Sequence, residues 1–358
     1  MKWLIALFFL FLASLQAFEI TQADLENPKY EWMDEAIERS LSHFTVSGVS
    51  LESIDQAYQE NKPYINRYKV INNHVYGFGA CLNLLQEITK HVKLEDIDFL
   101  YYENDGPINE QDLPLANCPI FVGSKNRHLK KAICFHDRYF LNNKSFIKNW
   151  TKISSLYKSK KIEWEDKIDM LIWRGKTVGP SEIYSLNKWQ NLHRGRLVDM
   201  STKRPDIIDA KFTKLSNFKK GDYQQLMEKM QKCFAHPLTL EELFKYRYQI
   251  VMDGKCAPFP EIRTKLLSNS LLFKPESQFV VWYSDQLQPY RHFIPVENDL
   301  SNLGKQILWA KENDEEARQI AKRGRQFVLN NLMPKDILIY TIKLIQSYAK
   351  KQQFEPAI

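Results

Sequence analysis

Apolar residues recur at helical spacing near the start of the chain, where Trp32-Met33, Ala36-Ile37 and Leu41 predict a polar, helical region over 18–62. The pattern then switches to alternation. Arg67–Ile71 and His74–Tyr76, separated by Asn72-Asn73, predict a β-hairpin, and Gly79–His91 reads as an amphipathic helix. Asp98–Tyr102 and Pro119–Val122 are short strands, and 138–168 is weakly patterned, as a linker would be. Met170–Trp173 is a strand, followed by a helix around Ile183–His193 and a further strand at Ile207-Ile208. From Asp299 the chain reads as helical. Asn313-Asp-Glu-Glu316 carries an N-cap signature, Ile320, Ala321, Gly324, Phe327 and Val328 mark one apolar face, and Pro334 opens a last helix. Strands alternating with helices predict an α/β fold with parallel sheets.

One stretch combines this alternation with candidate chemistry. Tyr246–Met252 is aromatic and β-branched, Asp253-Gly254 breaks the strand, and two prolines keep the segment to Pro260 from being helical. Glu261–Leu267 then has helical composition, and Ser270–Phe273 reads as a second buried strand. Strand, loop, helix and strand make a βαβ unit. In open parallel sheets ligands bind at the carboxyl ends of strands, where helix N-termini offer N–H groups to a phosphate. Arg263 and Lys265 add positive charge there. The residues alone are equally compatible with a proline-rich surface loop.

Length and charge narrow the classes. The 358 residues suffice for two domains, and the formal net charge of +7 suits an anionic ligand while being too diffuse to argue for nucleic acid. Lys2, the apolar run Trp3–Leu15 and Ala13–Ala17 read as a secretory signal peptide over 1–17, with an uncleaved membrane anchor as the alternative. Export follows from either reading, to a periplasm, a secretory lumen or the exterior, and association with a membrane surface stays open. Five scattered cysteines form no CxxC pair, which argues against structural zinc and leaves disulfide pairing undetermined.

Several spaced segments, in order, resemble glycosyltransferase family 90. Lys245-Tyr-Arg-Tyr248, Asp253-Gly254, Arg263 and Asn269–Phe273 match its donor-binding region, followed by Trp282-Tyr283, Leu287–Tyr290, His292–Pro295 and Asp299–Ser301. The resemblance extends, more thinly, back to about residue 40. It implies a GT-B-like arrangement, two Rossmann-like parallel-sheet domains facing a cleft. An acceptor-side domain would span 18–160 and a nucleotide-sugar-binding domain 161–334, with the helix over 335–358 packing back on the first domain.

Sugar transfer from a nucleotide donor needs a base for the acceptor hydroxyl and positive charge or oriented N–H groups for the departing diphosphate. The family's strand ending in Arg-Asp-x-Pro carries its catalytic base. Here Asn104-Asp105-Gly106-Pro107 keeps the aspartate without the arginine, so the resemblance makes Asp105 the base. On sequence alone Asp105 is as well explained by an Asx turn. Arg174-Gly175-Lys176 resembles the family's donor-contacting Arg-Gly motif, and Arg194 falls on a donor-binding arginine. The loop Gly254, Lys255, Cys256, Ala257, Pro258 and Phe259, with Arg263, completes the implied donor site. Ser124 and Lys125 match an acceptor-side segment, where packing explains them as well. Asp96-Ile-Asp98 is formally a DxD, but it precedes its strand instead of following it, so no metal site is expected. The resemblance thus implies an inverting, metal-independent transferase that needs no cofactor. It would take glucose or xylose from a UDP-sugar to a cell-envelope glycan, a lipopolysaccharide or a protein. A lectin-like binding module on the same fold, or a retaining enzyme using Glu261, are the competing readings.

Overall fold

A computed structural model describes residues 20–60, 62–104, 106–136, 162–179, 184–216, 218 and 220–357. The segment 1–17 and Asp105 lie outside the described residues. The chain divides into two compact α/β units. Among described residues, the first draws on 20–104, 108–136 and 330–357, and the second on 106–107, 162–179, 184–216, 218 and 220–329.

The first unit is built on a five-stranded sheet. Strands β1 (Ile65–Ile71) and β2 (His74–Gly77) form the expected hairpin, pairing Tyr68 with Gly77 and Ile71 with His74. Its two-residue turn needs left-handed backbone at both positions, and Asn72 (φ 50°) and Asn73 (φ 64°) supply it. β1 also pairs antiparallel with β3 (Ile97–Tyr102), which continues in parallel with β4 (Ile120–Val122) and β5 (Ala132–Cys134). All six β3 residues are buried, as a strand covered on both faces requires. Helix α1 (Glu31–Leu41) buries Met33, Ile37 and Leu41, four residues apart along one face. Helix α2 (Leu51–Gln59) is capped by Ser50, whose hydroxyl accepts from the Ser53 N–H at 3.1 Å. Helix α3 (Ala80–Ile88) follows the hairpin.

The second unit carries a fully parallel sheet. Its strands β6 (Ile168–Lys176), β7 (Ile208–Lys214), β8 (Tyr246–Ile250), β9 (Leu271–Pro275) and β10 (Ile294–Val296) stand in the order β10-β9-β8-β6-β7. Parallel pairing brings every carboxyl end to one edge. The helix expected over 183–193 lies further along: 180–183 fall outside the described residues, Trp189–Asn191 is a single 3-10 turn, and α4 runs from His193 to Lys203. Gly195 explains the offset, because a Cβ there would overlap the Trp189 carbonyl. The turn can fold against the helix start only at that glycine. Helix α5 (Phe259–Leu267) joins β8 to β9 and ends at Asn269, whose φ of 59° is the left-handed residue of a helix C-terminus. Helices α6 (Leu303–Glu312) and α7 (Asp314–Asn331) follow β10.

The last helix, α8 (Pro334–Ala349), belongs to the first unit. It is fastened there by polar bonds between buried groups. The Tyr348 hydroxyl donates to the Asp98 carbonyl at 2.7 Å, that of Tyr340 to the Cys134 carbonyl at 2.7 Å, and that of Tyr30 to Asp336 at 2.7 Å.

Candidate active site

The carboxyl edge of the parallel sheet is assembled around Arg194, which sits in the first turn of α4 and is only 9% exposed. Its guanidinium donates to the Lys176 carbonyl at 3.0 Å, the Met252 carbonyl at 3.0 Å and the Asp253 carbonyl at 2.8 Å. One side chain thereby joins the end of β6 to the segment that leaves β8. Its plane lies over the buried Trp173 indole, 5.7 Å from the ring centroid. A Cβ at Gly254 would stand 3.1 Å from the Arg194 Nη2, so the glycine gives the loop room to close on the arginine. No described carboxylate pairs with Arg194. Carbonyl dipoles hold its guanidinium in place, and the nearby Asp253 and Glu261 carboxyls feel its charge.

Arg174, its partner in the sequence motif, has a different fate. Its Nη1 and Nη2 reach the Asp209 carboxylate at 3.0 and 2.8 Å, a two-pronged ion pair between neighbouring strands. Nη1 also donates to the Asp209 and Trp173 carbonyls. The fork that could grip a phosphate is therefore occupied, and Arg174 serves the β6–β7 seam. Gly175 is there for packing, since a Cβ would run into the Trp173 indole. Lys176 is exposed at the strand end.

The loop after β8 leads directly to the N-terminus of α5. The Gly254 N–H donates to the Cys256 carbonyl at 3.1 Å, which tightens the turn; Lys255 is exposed, Cys256 half-buried and Ala257 buried. Pro258 is the N-cap and offers no hydrogen-bonding side chain; Pro260 has no N–H and the Ile262 N–H donates back to the Pro258 carbonyl at 3.1 Å, which leaves the Phe259 and Glu261 N–H groups as the first-turn donors of α5. Such a terminus favours an anion. Phe259 opens the helix, and Arg263 is half-buried one turn on.

Two carboxyl groups tune this edge. Burial pushes the Asp253 carboxyl above its ordinary range, against the lowering effects of the Ser277 hydroxyl, 2.6 Å away, and of Lys274 and Arg194. Burial also pushes Glu261 up, but Lys265 and Arg194 overcome it and hold that carboxyl below the usual range. Lys265, itself buried, donates to Glu261 at 2.9 Å and to the Ile250 carbonyl at 2.7 Å. Glu261 is thus engaged in an ion pair. Asp209, Asp253 and Trp173 did not stand out in the sequence as partners of the arginines, because their roles depend on which strands are neighbours.

In the first unit, β3 ends at Tyr102, and Glu103-Asn104 lead directly to Asp105. The Tyr68 hydroxyl donates to the Glu103 carboxylate, and the Asn104 amide donates to the Tyr102 hydroxyl at 3.1 Å. A Cβ at Gly79 would collide with both Glu103 and Tyr68, so the loop before α3 can cross there only as glycine. Ser124 and Lys125 follow β4. Lys125 donates to the Leu129 and Ala132 carbonyls at 2.9 and 2.8 Å, tying its own loop, and the Ser124 hydroxyl is buried. The Asp96-Ile-Asp98 triplet is spent on the fold. Asp96 accepts from the Asn72 N–H at 2.7 Å, and fully buried Asp98 accepts from Arg67 at 2.6 and 2.8 Å. Among the described residues no group of three or more His, Cys, Asp or Glu could hold a metal ion.

Comparison with known proteins places this geometry. Protein O-glucosyltransferase 2 of Danio rerio is 29% identical over 304 residues, covering 81% of this chain and 56% of that protein. Protein O-glucosyltransferase 3 of Homo sapiens is 27% identical over 326 residues, covering 86% and 59%. The chain therefore spans a little over half the length of these curated relatives. The solved structure of Anabaena Alr3699/HepE in complex with UDP-glucose overlaps at a TM-score of 0.35 and 13% identity, over 56% of this chain and 53% of that one. A likeness that slight carries no argument. The family description Glycosyl transferase family 90, in contrast, matches residues 27–358, nearly the whole chain. This chain belongs to glycosyltransferase family 90.

Proposed function

We propose that this protein is an inverting, metal-independent glycosyltransferase that moves a hexose or pentose from a UDP-sugar to an acceptor hydroxyl. The observation that carries the reading is Arg194, clamped by main-chain carbonyls between the end of β6 and the loop that opens the N-terminus of α5. A buried positive charge beside open N–H groups suits a diphosphate. Exposed Lys176 and Lys255 add cations at the same edge.

In the reaction, the Asp105 carboxylate accepts the proton of the acceptor hydroxyl as its oxygen attacks the anomeric carbon. The bond from that carbon to the diphosphate oxygen breaks on the opposite face, UDP leaves with the electron pair, and the configuration inverts. Arg194 and the α5 N-terminus stabilise the charge that develops on the leaving group, the work a divalent cation does in other transferases. The names of the relatives favour glucose as the sugar. The acceptor is a cell-envelope glycan, a lipopolysaccharide or a protein, reached after export by the segment 1–17.

The test is turnover of UDP-glucose, UDP-xylose and UDP-galactose by purified protein in excess EDTA. Hydrolysis or transfer from at least one donor should persist, with an inverted product anomer. Loss of activity in chelator and its recovery with manganese would reject the metal-independent reading.

A further inference from the structure

A second, separate site lies in the first unit, where β2 and α3 enclose an open cavity of about 450 Å³. It is away from the end of β3 that carries Glu103. His74 pairs with Ile71 and Val70 with Ile97, so the cavity mouth sits toward the amino end of β3. We propose that this cavity binds a neutral saccharide, independently of the transfer reaction.

The floor is built rather than incidental. Asn73 is held by both ends of its amide: its NH2 donates to the Thr89 carbonyl at 2.8 Å, and its oxygen accepts from the Leu94 N–H at 3.0 Å. The hairpin turn is thereby fixed to the end of α3. The walls then present hydrogen-bonding groups the protein does not use. Asn83 and Gln86, three residues apart on one face of α3, direct exposed amides to the cavity, and among the described residues neither amide has a protein partner. The Tyr76 ring is 37% exposed in the same wall. His74 Nδ1 lies 3.0 Å from the Asn72 carbonyl, which can only accept, so Nδ1 carries a proton and in the neutral ring Nε2 is the acceptor.

Charge argues for a neutral ligand. Glu87 is matched by Lys90 at 2.7 Å and by His91 at 3.3 Å, so the cavity's charged residues answer each other. Uncommitted amides that both donate and accept, an imidazole acceptor and an aromatic ring suit the hydroxyls and C–H face of a pyranose. The volume lies within the range of small-molecule pockets, enough for one or two sugar rings.

The experiment titrates maltotriose, cellotriose and chitotriose into the full chain by saturation-transfer NMR and calorimetry, with no donor present. At least one should bind saturably. Asn83→Ala combined with Gln86→Ala should weaken that binding at least about tenfold, from the loss of two or more hydrogen bonds. Tyr76→Ala, made separately, should weaken it as well. The helix substitutions replace exposed amides by a better helix former, so unfolding temperature should hold, and UDP affinity should stay unchanged. The proposal is overturned if none of the three sugars binds, if binding survives in both variants, or if inorganic phosphate binds at these residues in place of sugar. Because no donor is used, these outcomes are independent of whether the protein transfers sugar.

Discussion

Each unit holds an arginine against its sheet, and the two are held in opposite ways. In the first, Arg67 meets Asp98 at 2.6 Å and Asp55 at 2.7 Å, so its charge is cancelled where it stands. In the second, the hydrogen bonds that Arg194 makes among the described residues go to main-chain carbonyls, at 2.8–3.0 Å, while Asp253 and Glu261 lie close enough to feel its charge. Carbonyl oxygens satisfy the N–H groups without removing the charge. The first arrangement is a structural joint, while the second keeps a positive potential at a strand edge. Arg174 sits in the second unit yet follows the Arg67 pattern, through Asp209. The chemistry of an arginine here is set by its acceptors, not by the motif that contains it.

The largest effect expected from this division is on catalysis itself. Asp105→Asn keeps the size of the side chain and removes the proton acceptor, so sugar transfer should fall by about 10²–10⁴. UDP affinity, assigned to the second unit, should hold within experimental error. Transfer at the wild-type rate would make Asp105 a turn residue.

The arginines come next. Arg67→Ala leaves Asp98 buried with only Lys69, 3.8 Å away, and should cost roughly 3–5 kcal/mol in denaturant unfolding. Arg194→Ala should reduce UDP affinity roughly 10- to 100-fold and also loosen the loop over 253–258, through the loss of a charge and of three bonds to carbonyls. Arg174→Ala should change UDP affinity by less than about threefold, because its charge is already answered by Asp209. Calorimetric titration with UDP separates the last two. Equal losses in both variants would contradict the distinction drawn between them.

That distinction shows where the sequence was legible and where it was not. The hairpin at 65–77 was readable because its turn is two residues long and both are asparagines with left-handed backbone. The strand and loop after 246 were readable because Asp253-Gly254 and the prolines punctuate them, but the helix expected over Glu261–Leu267 begins at Phe259, because a proline in the first helical turn gives up no intrahelical bond and Pro260 does not hold the helix off. The helix near 190 was misplaced, since its apolar spacing does not reveal that Gly195 must pass the Trp189 carbonyl. Arg174 and Arg194 looked alike because each follows a family motif. Their difference comes from Asp209 on the neighbouring strand and from the carbonyls of Met252 and Asp253, which only the register of a folded sheet brings near. Asp98, set aside in the sequence as part of a chance DxD, has a structural role that its spacing did not reveal, since β1 places Arg67 against it.

A further expected effect concerns the acid stability of the second unit. In the second unit, burial together with Arg194 and Arg196 lowers the His193 pKa to about 4, and burial with Arg291 and Arg323 lowers that of His292 to about 4. His292 Nδ1 accepts from the Gln288 N–H at 3.0 Å, a bond that requires an unprotonated Nδ1. In the unfolded chain both rings titrate near 6.5, so between about 6.5 and about 4 the unfolded state binds more protons than the native one. Stability from these groups is therefore fully present above the unfolded value, is lost as pH falls through the window, and levels off below the folded value. The total should be roughly 3–5 kcal/mol, most of it from the buried His292, because His193 is partly exposed. Hydrogen exchange at pH 7, 5.5 and 4.5 should show the loss in peptides covering 184–204 and 279–296. His292→Gln can still accept from Gln288 and cannot titrate, so it should flatten the pH dependence around 279–296 while leaving that around 184–204 in place. An unchanged slope in that variant would mean the acid response arises elsewhere, and a protein equally protected at all three pH values would mean that neither imidazole resists its proton in the folded state.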